Sequence, residues 1–253
     1  MSNFKNLHIP GTPLVLWNIW DAGSARAVAG AGAPAVATGS VSVAGAMGYP
    51  DGQALPLDLL LTICTRIAAS VEVPLSVDFE SGYAEDPVEL AENAARLTDT
   101  GAQGCNFEDG IPPEAGIRPL KAQMPRIKAL RDGAPGLFLN ARTDLFLQNP
   151  ADAHAALLPE AVTRARAYAD AGADGFFAPG LVAPALIEAL CRDSPLPVNV
   201  MKTPSAPDIM ALAKLGVARI SYGPFPWREA MVDLAHRFQA QTGAVAGQDA
   251  KKA

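Results

Sequence analysis

The chain reads as one α/β domain, a (β/α)8 TIM barrel, and three observations predict it. Its 253 residues suit a barrel of eight strand–helix units, for which about 250 is typical. Short apolar runs alternate with helical patterns along nearly the whole length, the order that builds a parallel sheet. One helix-to-strand joint also recurs, at Ala31-Gly32-Ala33, Thr100-Gly101-Ala102, Ala171-Gly172-Ala173 and Leu215-Gly216-Val217. Glycine there supplies the left-handed residue that drops the chain from a helix end back onto a sheet. The open doubly wound alternative would carry a glycine-rich phosphate loop after its first strand, and this chain lacks one. The barrel is placed at residues 1–242 and a flexible tail at 243–253.

Taken in order, Leu14–Ile19 is the first strand, and Asp21 caps a helix that runs to the Gly30–Gly32 segment. Ala35–Ser40 is the second strand, ending in small and hydroxylated residues, and a long loop from Val41 to Gly52 follows. A helical pattern, Leu57 to Ala69, precedes the third strand at Leu75. Asp86-Pro87-Val88-Glu89 has the N-cap, first-turn proline and acid of a helix start. The fourth strand ends at Glu108, and Ile111–Pro119 is a proline-rich loop before a short helix, Lys121–Arg131. Leu137–Arg142 is the fifth strand, Pro159 begins the next helix, and Gly175–Pro179 is the sixth strand. A helix over Leu181–Cys191, a strand over Pro197–Met201, a capped helix after Asp208, a strand over Ala218–Gly223 and a last helix from Pro226 to Phe238 complete the series.

Composition narrows the function. A 49% hydrophobic and 18% charged chain buries a core readily and does not resemble a disordered one. A net charge of −6 disfavours nucleic acid and anionic membrane, since both polyanions demand clustered Lys and Arg. Cys64, Cys105 and Cys191 are too few and too scattered for a disulfide framework and fit reduced thiols in a cytoplasm. No apolar run approaches the ~20 residues of a membrane span.

All strand C-termini of such a barrel face one mouth, where active sites sit. Val77-Asp78-Phe79-Glu80 brings two carboxylates there, on one side if the strand alternation continues. Glu108-Asp109 closes another apolar run, and Arg142 a third. Like charges so placed repel unless a cation lies between them, so their convergence predicts a divalent-metal site with an anion clamp. Thr38, Gly39, Ser40 and Asn199 lie at the same ends, Asn199 as a donor to a substrate carboxylate or simply a turn former. Trp20, at the end of the first strand, is the tryptophan best placed to touch a ligand. Cys105 reads as a small buried hydrophobe. His8, His154 and His236 fall where no base is needed.

With these residues in view, the chain resembles the isocitrate lyase/phosphoenolpyruvate mutase superfamily over nearly its whole length. The resemblance is carried by Trp20-Asp21-Ala22-Gly23-Ser24-Ala25-Arg26, Met47-Gly48-Tyr49-Pro50-Asp51-Gly52, Val77 to Tyr83, Asn106-Phe107-Glu108-Asp109 and Asn140-Ala141-Arg142-Thr143-Asp144. It implies a barrel in a homo-oligomer, dimer or tetramer, with the C-terminal helix exchanged between subunits. It also implies Mg²⁺, with Mn²⁺ as substitute, chelating a small 2-oxo acid or dicarboxylate. Asp78 is then the nearest metal ligand, with Asp51, Glu80 and Glu108 holding the ion partly through water. Gly39, Ser40 and Arg142 match the family's substrate-binding segment and carboxylate-pairing arginine; Thr38, Trp20 and Asn199 join the expected substrate-binding residues by their strand-end positions, and Asp51, Arg142 and Glu114 are the expected catalytic set.

One departure bears on the reaction. The loop Gly110 to Pro119 contains neither the cysteine of the family's lyases nor the lysine and asparagine of its phosphonate-handling members. Decarboxylation of an oxaloacetate-like acid, or another C–C lyase reaction, survives that loss. Glu114 or Tyr49 is then the acid that returns a proton. C–P chemistry on phosphonopyruvate or phosphoenolpyruvate, and a non-catalytic 2-oxo acid binding protein, stand as the alternatives.

Overall fold

The computed structural model describes residues 3–112 and 115–243. Nine strand segments form one parallel sheet: β1 (Leu14–Leu16), β2 (Asn18–Ile19), β3 (Val36–Thr38), β4 (Leu75–Asp78), β5 (Gly104–Glu108), β6 (Phe138–Arg142), β7 (Gly175–Phe177), β8 (Val198–Met201) and β9 (Arg219–Ser221). The stretch expected as one first strand breaks at Trp17, so that β1 pairs with β9 while β2 pairs with β3. The two halves thus serve both ends of the sheet, and the result is a nearly closed TIM-type barrel. Asn18 ties the seam: its amide donates to the Thr38 carbonyl (2.7 Å), and its oxygen accepts the Tyr222 and Gly223 N–H groups (both 2.8 Å).

Around the sheet run α1 (Ala22–Gly30), α2 (Ser40–Ala46), α3 (Leu57–Ala68), α4 (Pro87–Asp99), α5 (Leu120–Gly133), α6 (His154–Asp170), α7 (Pro184–Asp193), α8 (Ile209–Lys214) and α9 (Phe225–Thr242). Asp21, Asp86 and Asp208 cap α1, α4 and α8 by accepting first-turn amide hydrogens. Gly32, Gly101, Gly172 and Gly216, the recurring joints, take φ of +97°, +90°, +106° and +89°. Apolar faces such as Leu60, Cys64 and Ile67 of α3 and Leu90, Ala94 and Leu97 of α4 meet the outside of the sheet and bury completely or nearly so.

Two further boundaries differ from expectation in a way that matters here, beyond shifts of a few residues at several element ends. Ser40–Ala46 is a helix, not the start of a loop, because Gly39 holds the extended backbone of an N-cap and the small residues that follow stack without hindrance. α6 begins at His154, and Pro159 lies inside it as its sixth residue, where the amide hydrogen it lacks leaves the Ala155 carbonyl without its helical donor. The tail from 244 lies outside the described residues, as does Glu114.

The interior is layered. At the floor, a 3₁₀ turn over Asn3–Leu7 inserts Phe4 among Leu14, Leu16, Ala35, Ala37 and Phe138. Above it sits a polar layer in which Asn140 donates to Asn106 (2.9 Å) and Asn199 (3.0 Å), and the fully buried Arg219 reaches Asn106 (3.1 Å). The mouth lies above that layer. No helix among the described residues is long and apolar enough to cross a membrane.

Candidate active site

Parallel register brings the mouth residues into contact. Glu108 of β5 faces Arg142 of β6, and their side chains form an ion pair of 2.8 Å. Arg142 donates from Nε and Nη2 to the two oxygens of Asp144 (2.6 and 3.1 Å). Of the five guanidinium N–H groups, these contacts use three, and two remain for a ligand carboxylate. Glu108 and Asp144 hold Arg142 firmly protonated against the burial that opposes its charge.

Asp144 is itself fixed from behind. Asp109 accepts the Asp144 backbone N–H (2.8 Å), the Tyr168 hydroxyl (2.7 Å) and the Arg164 guanidinium (3.1 Å). Two side chains of α6 therefore set the position of Arg142 through a carboxylate that never reaches the mouth.

Asp78 ends β4, where its backbone N–H donates to the Thr38 hydroxyl (2.8 Å) and its Oδ2 accepts the Ser40 N–H at the start of α2 (3.1 Å). Its Oδ1 is buried with no hydrogen-bond partner. An orphaned carboxylate oxygen costs more than a paired one, which points to a missing ligand. The strand stops here, so alternation does not carry Glu80 to the same side. Glu80 takes φ +48°, and its two oxygens accept the Gln53 N–H (2.7 Å) and the Tyr83 hydroxyl (2.8 Å). Gln53 and Tyr83 also have left-handed φ, +62° and +59°, and the Tyr83 N–H donates to the Gln53 side chain (2.7 Å). The three non-glycine residues with positive φ among those described thus form one bonded triangle, a concentration of strain of the kind functional sites hold.

Two adjoining cavities of about 220 and 270 Å³ share Ser40, Asp51 and Arg142. The first also takes in Asp78 and Asn106, and the second Glu80, Glu108 and Asp144. Burial and the Asp78 charge push Glu80 up to about 7. Burial pushes Glu108 up despite Arg142. Asp51, at the rim, is raised by desolvation and by Asp78, while the Ser40 hydroxyl opposes the shift.

Among the described residues, no three His, Cys, Asp or Glu side chains close on one point, so the four carboxylates are not a common direct ligand set. Asp78 Oδ1 fits the direct ligand of a hard cation, and Asp51, Glu80 and Glu108 line the same pair of cavities, where an ion that keeps much of its hydration could be reached through water.

Other sequence candidates fall elsewhere. Thr38 is buried and lines neither cavity, acting through the Asp78 N–H. Asn199 lies in the polar layer with both amide hydrogens given to the Val200 and Arg219 carbonyls, so it has no donor for a substrate. Trp20 faces a separate surface groove with Met47, Leu59 and Ile63. Tyr49 lines neither lobe. Asn18, Asn106, Asp144 and Phe177 were not singled out, although period-2 spacing from Glu108 and Arg142 points to Asn106 and Asp144.

A family model described as phosphoenolpyruvate phosphomutase matches residues 4–241. An uncharacterised Mycobacterium tuberculosis protein is 35% identical over 94% of this chain and 88% of its own length. The phosphoenolpyruvate phosphomutase of Streptomyces viridochromogenes is 30% identical over 96% of this chain and 81% of its own length. An oxaloacetate decarboxylase of Bradyrhizobium diazoefficiens is 26% identical over 82% and 73%. Among solved structures, a Burkholderia cenocepacia protein provisionally described as a phosphonomutase superposes with a TM-score of 0.91 at 48% identity, over 93% of this chain and 97% of that one. A phosphonopyruvate hydrolase in complex with oxalate and Mg²⁺ shares the fold at 21% identity, with a TM-score of 0.82 over 100% and 92%.

Proposed function

The chain belongs to the phosphoenolpyruvate phosphomutase family, and from that premise and the geometry of the mouth we propose that it is a Mg²⁺-dependent enzyme that decarboxylates a small oxaloacetate-like 2-oxo acid. The observation that carries the reading is Asp78 Oδ1, buried and unpartnered beside an arginine with two free N–H groups. When bound there, Mg²⁺ supplies positive charge for the oxygen on which negative charge develops, and Mn²⁺ would serve as substitute. The oxalate and Mg²⁺ held by a hydrolase of the same fold are consistent with that pairing.

The chain's own residues then divide the work. Arg142 binds the carboxylate next to the oxo group through its free N–H groups, and Glu108 and Asp144 keep its plane fixed. Ser40, shared by both lobes with Arg142, bounds the head group as well. In decarboxylation the bond from C3 to its carboxylate breaks, and its electron pair moves toward the C2 oxo group. Carbon dioxide leaves, and a proton returns to C3. No base has to remove a proton, which agrees with a mouth lined by no histidine or cysteine among the described residues. Phosphoryl transfer would call for further cations, and among the described residues Arg142 is the only one lining either lobe.

The exposed Met231, Val232, Leu234 and Phe238 of α9 support assembly as a dimer or tetramer with that helix on a neighbouring subunit. A clean monomer in sedimentation would contradict it.

The function is tested by turnover with Mg²⁺ of oxaloacetate, isocitrate, methylisocitrate and phosphonopyruvate, beside calorimetric titration of oxalate. Carbon dioxide release from oxaloacetate is expected, and oxalate binding that Asp78→Ala abolishes. Oxalate binding without turnover of any candidate would overturn the enzyme and leave a 2-oxo acid binding protein, the reading that the altered 110–119 loop favours.

A further inference from the structure

The two lobes that meet at Arg142 differ in what they can hold. The second is walled by the carboxyl groups of Asp51, Glu80, Glu108 and Asp144. An uncharged substituent on C3 would cover those polar groups without pairing them, so the first lobe accommodates it better. Its apolar lining includes Leu147, Phe177, Pro179, Met201 and Pro224, contributed by the ends of β7 and β8 and by the loops after β6, β7 and β9. Two polar residues beside it are already committed. Asn18 spends its amide on the barrel seam, and the Ser221 hydroxyl lies between Asn199 and Arg219. Lys202, one residue past Met201, holds its ammonium on the Thr203 and Ala206 carbonyls (2.9 and 3.1 Å). The wall is packed rather than loose: a Cβ on Gly223 would come within 2.7 Å of the Met201 sulfur.

We infer that the substrate carries an uncharged alkyl group on C3, seated in this apolar lobe, so that the site takes 3-alkyl-substituted oxaloacetates in preference to oxaloacetate itself. This rests on the 2-oxo acid reading above and adds to it the chemical class of the side chain. Binding energy at such a wall comes from apolar area removed from water, which a hydrogen on C3 does not provide. Arg142, the cation lining that lobe among the described residues, is engaged with the head group, so the departing carboxylate has no cation of its own there and its loss as carbon dioxide is favoured over its retention.

The products of these acids provide a stable binding series that needs no turnover. Pyruvate, 2-oxobutyrate and 2-oxopentanoate are titrated calorimetrically into the Mg²⁺-loaded protein, with oxalate as the head-group control. Affinity is expected to rise about fourfold for each added carbon. The parallel kinetic series, oxaloacetate against 3-methyl- and 3-ethyl-oxaloacetate, is expected to rise in kcat/KM by at least about tenfold overall. An affinity that stays flat or falls from pyruvate to 2-oxopentanoate, while oxalate binds, overturns the alkyl inference alone. Failure of oxalate and of every 2-oxo acid to bind overturns the function proposal and this inference with it. Leu147 is 43% exposed in a loop, so Leu147→Asp can be made without disturbing the core. It should flatten the series, and a series as steep as the parent's would count against the lobe.

Discussion

The floor and the mouth of this barrel are assembled from opposite materials. At the floor, Phe4 packs edge-on to Phe138 (ring centroids 5.6 Å apart), His8 stacks on the same ring (3.9 Å), and Gly104 leaves room that a Cβ would fill to within 2.5 Å of Phe4. At the mouth, five carboxylates, Asp51, Asp78, Glu80, Glu108 and Asp144, line the cavities that meet at Arg142, and a buried oxygen of Asp78 has no partner. One end is largely apolar packing, with the His8 Nε2 its buried atom that has no hydrogen-bond partner, and contributes stability. The other gathers charge, as binding sites at barrel mouths do. Substitutions should therefore separate the two properties.

The largest effect is expected at the mouth. Asp78→Ala should weaken Mg²⁺-dependent oxalate binding by more than about 100-fold, the scale of losing a first metal ligand. Its thermal midpoint should stay equal to the parent's or rise, because one of several like charges has gone. A large fall in the midpoint would show that the carboxylate is structural and would erase the contrast.

Phe4→Ala is the converse. Removing a fully buried phenylalanine should cost about 3–5 kcal/mol in urea unfolding, with oxalate affinity at the opposite end of the barrel little changed. If affinity fell in step with stability, the two ends would have to be coupled through the polar layer of Asn106, Asn140 and Arg219.

The two ends should also respond to pH with opposite signs. Glu80 is raised from 4.5 to about 7, so in metal-free protein it favours the folded state fully below its unfolded value, and that contribution is lost as pH rises toward 7. His8 is lowered from 6.5 to about 3, chiefly by burial and further by Arg219. Its contribution is present above 6.5 and is lost as pH falls toward 3. Urea midpoints in chelator between pH 4 and 8 should therefore gain a more positive slope in Glu80→Gln and a more negative one in His8→Phe. Shifts of the same sign in both variants would refute the assignment of opposite roles.

How far the sequence foretells this architecture follows from the range of the interactions. The barrel is legible because apolar alternation and the glycine joints at Gly32, Gly101, Gly172 and Gly216 are local features, written within a few residues of each other. Asp78 and Arg142 are legible because each is a charge that closes an apolar run. Glu80 misleads, since strand alternation assigns it to one side while its left-handed backbone, fixed by Gln53 and Tyr83, sends it to the other lobe. Asn199 misleads for a different reason: its donors are taken by carbonyls of its own strand's end and of β9, a pairing visible only once the strands lie side by side. Trp20 sits at a strand end as expected, yet its ring follows α1 outward. The support of Arg142 by Asp109 spans 35 residues to Asp144 and 59 to Tyr168, beyond any local pattern.

The smallest expected effect lies at the junction of the two ends. Thr38 is buried below the cavity, and its hydroxyl accepts the N–H of Asp78 while its carbonyl accepts the Asn18 amide at the seam. Thr38→Val keeps the shape but leaves the Asp78 N–H without an acceptor, at a cost of about 1–3 kcal/mol. Because the same bond fixes where β4 ends, oxalate affinity in Mg²⁺ should fall as well, though by less than about tenfold. Thr38→Ser retains the oxygen and should recover most of both losses. Stability lost with affinity intact would place Thr38 with the floor, and the boundary between the supporting and the binding parts of the barrel would then run above it, at Asp78 itself.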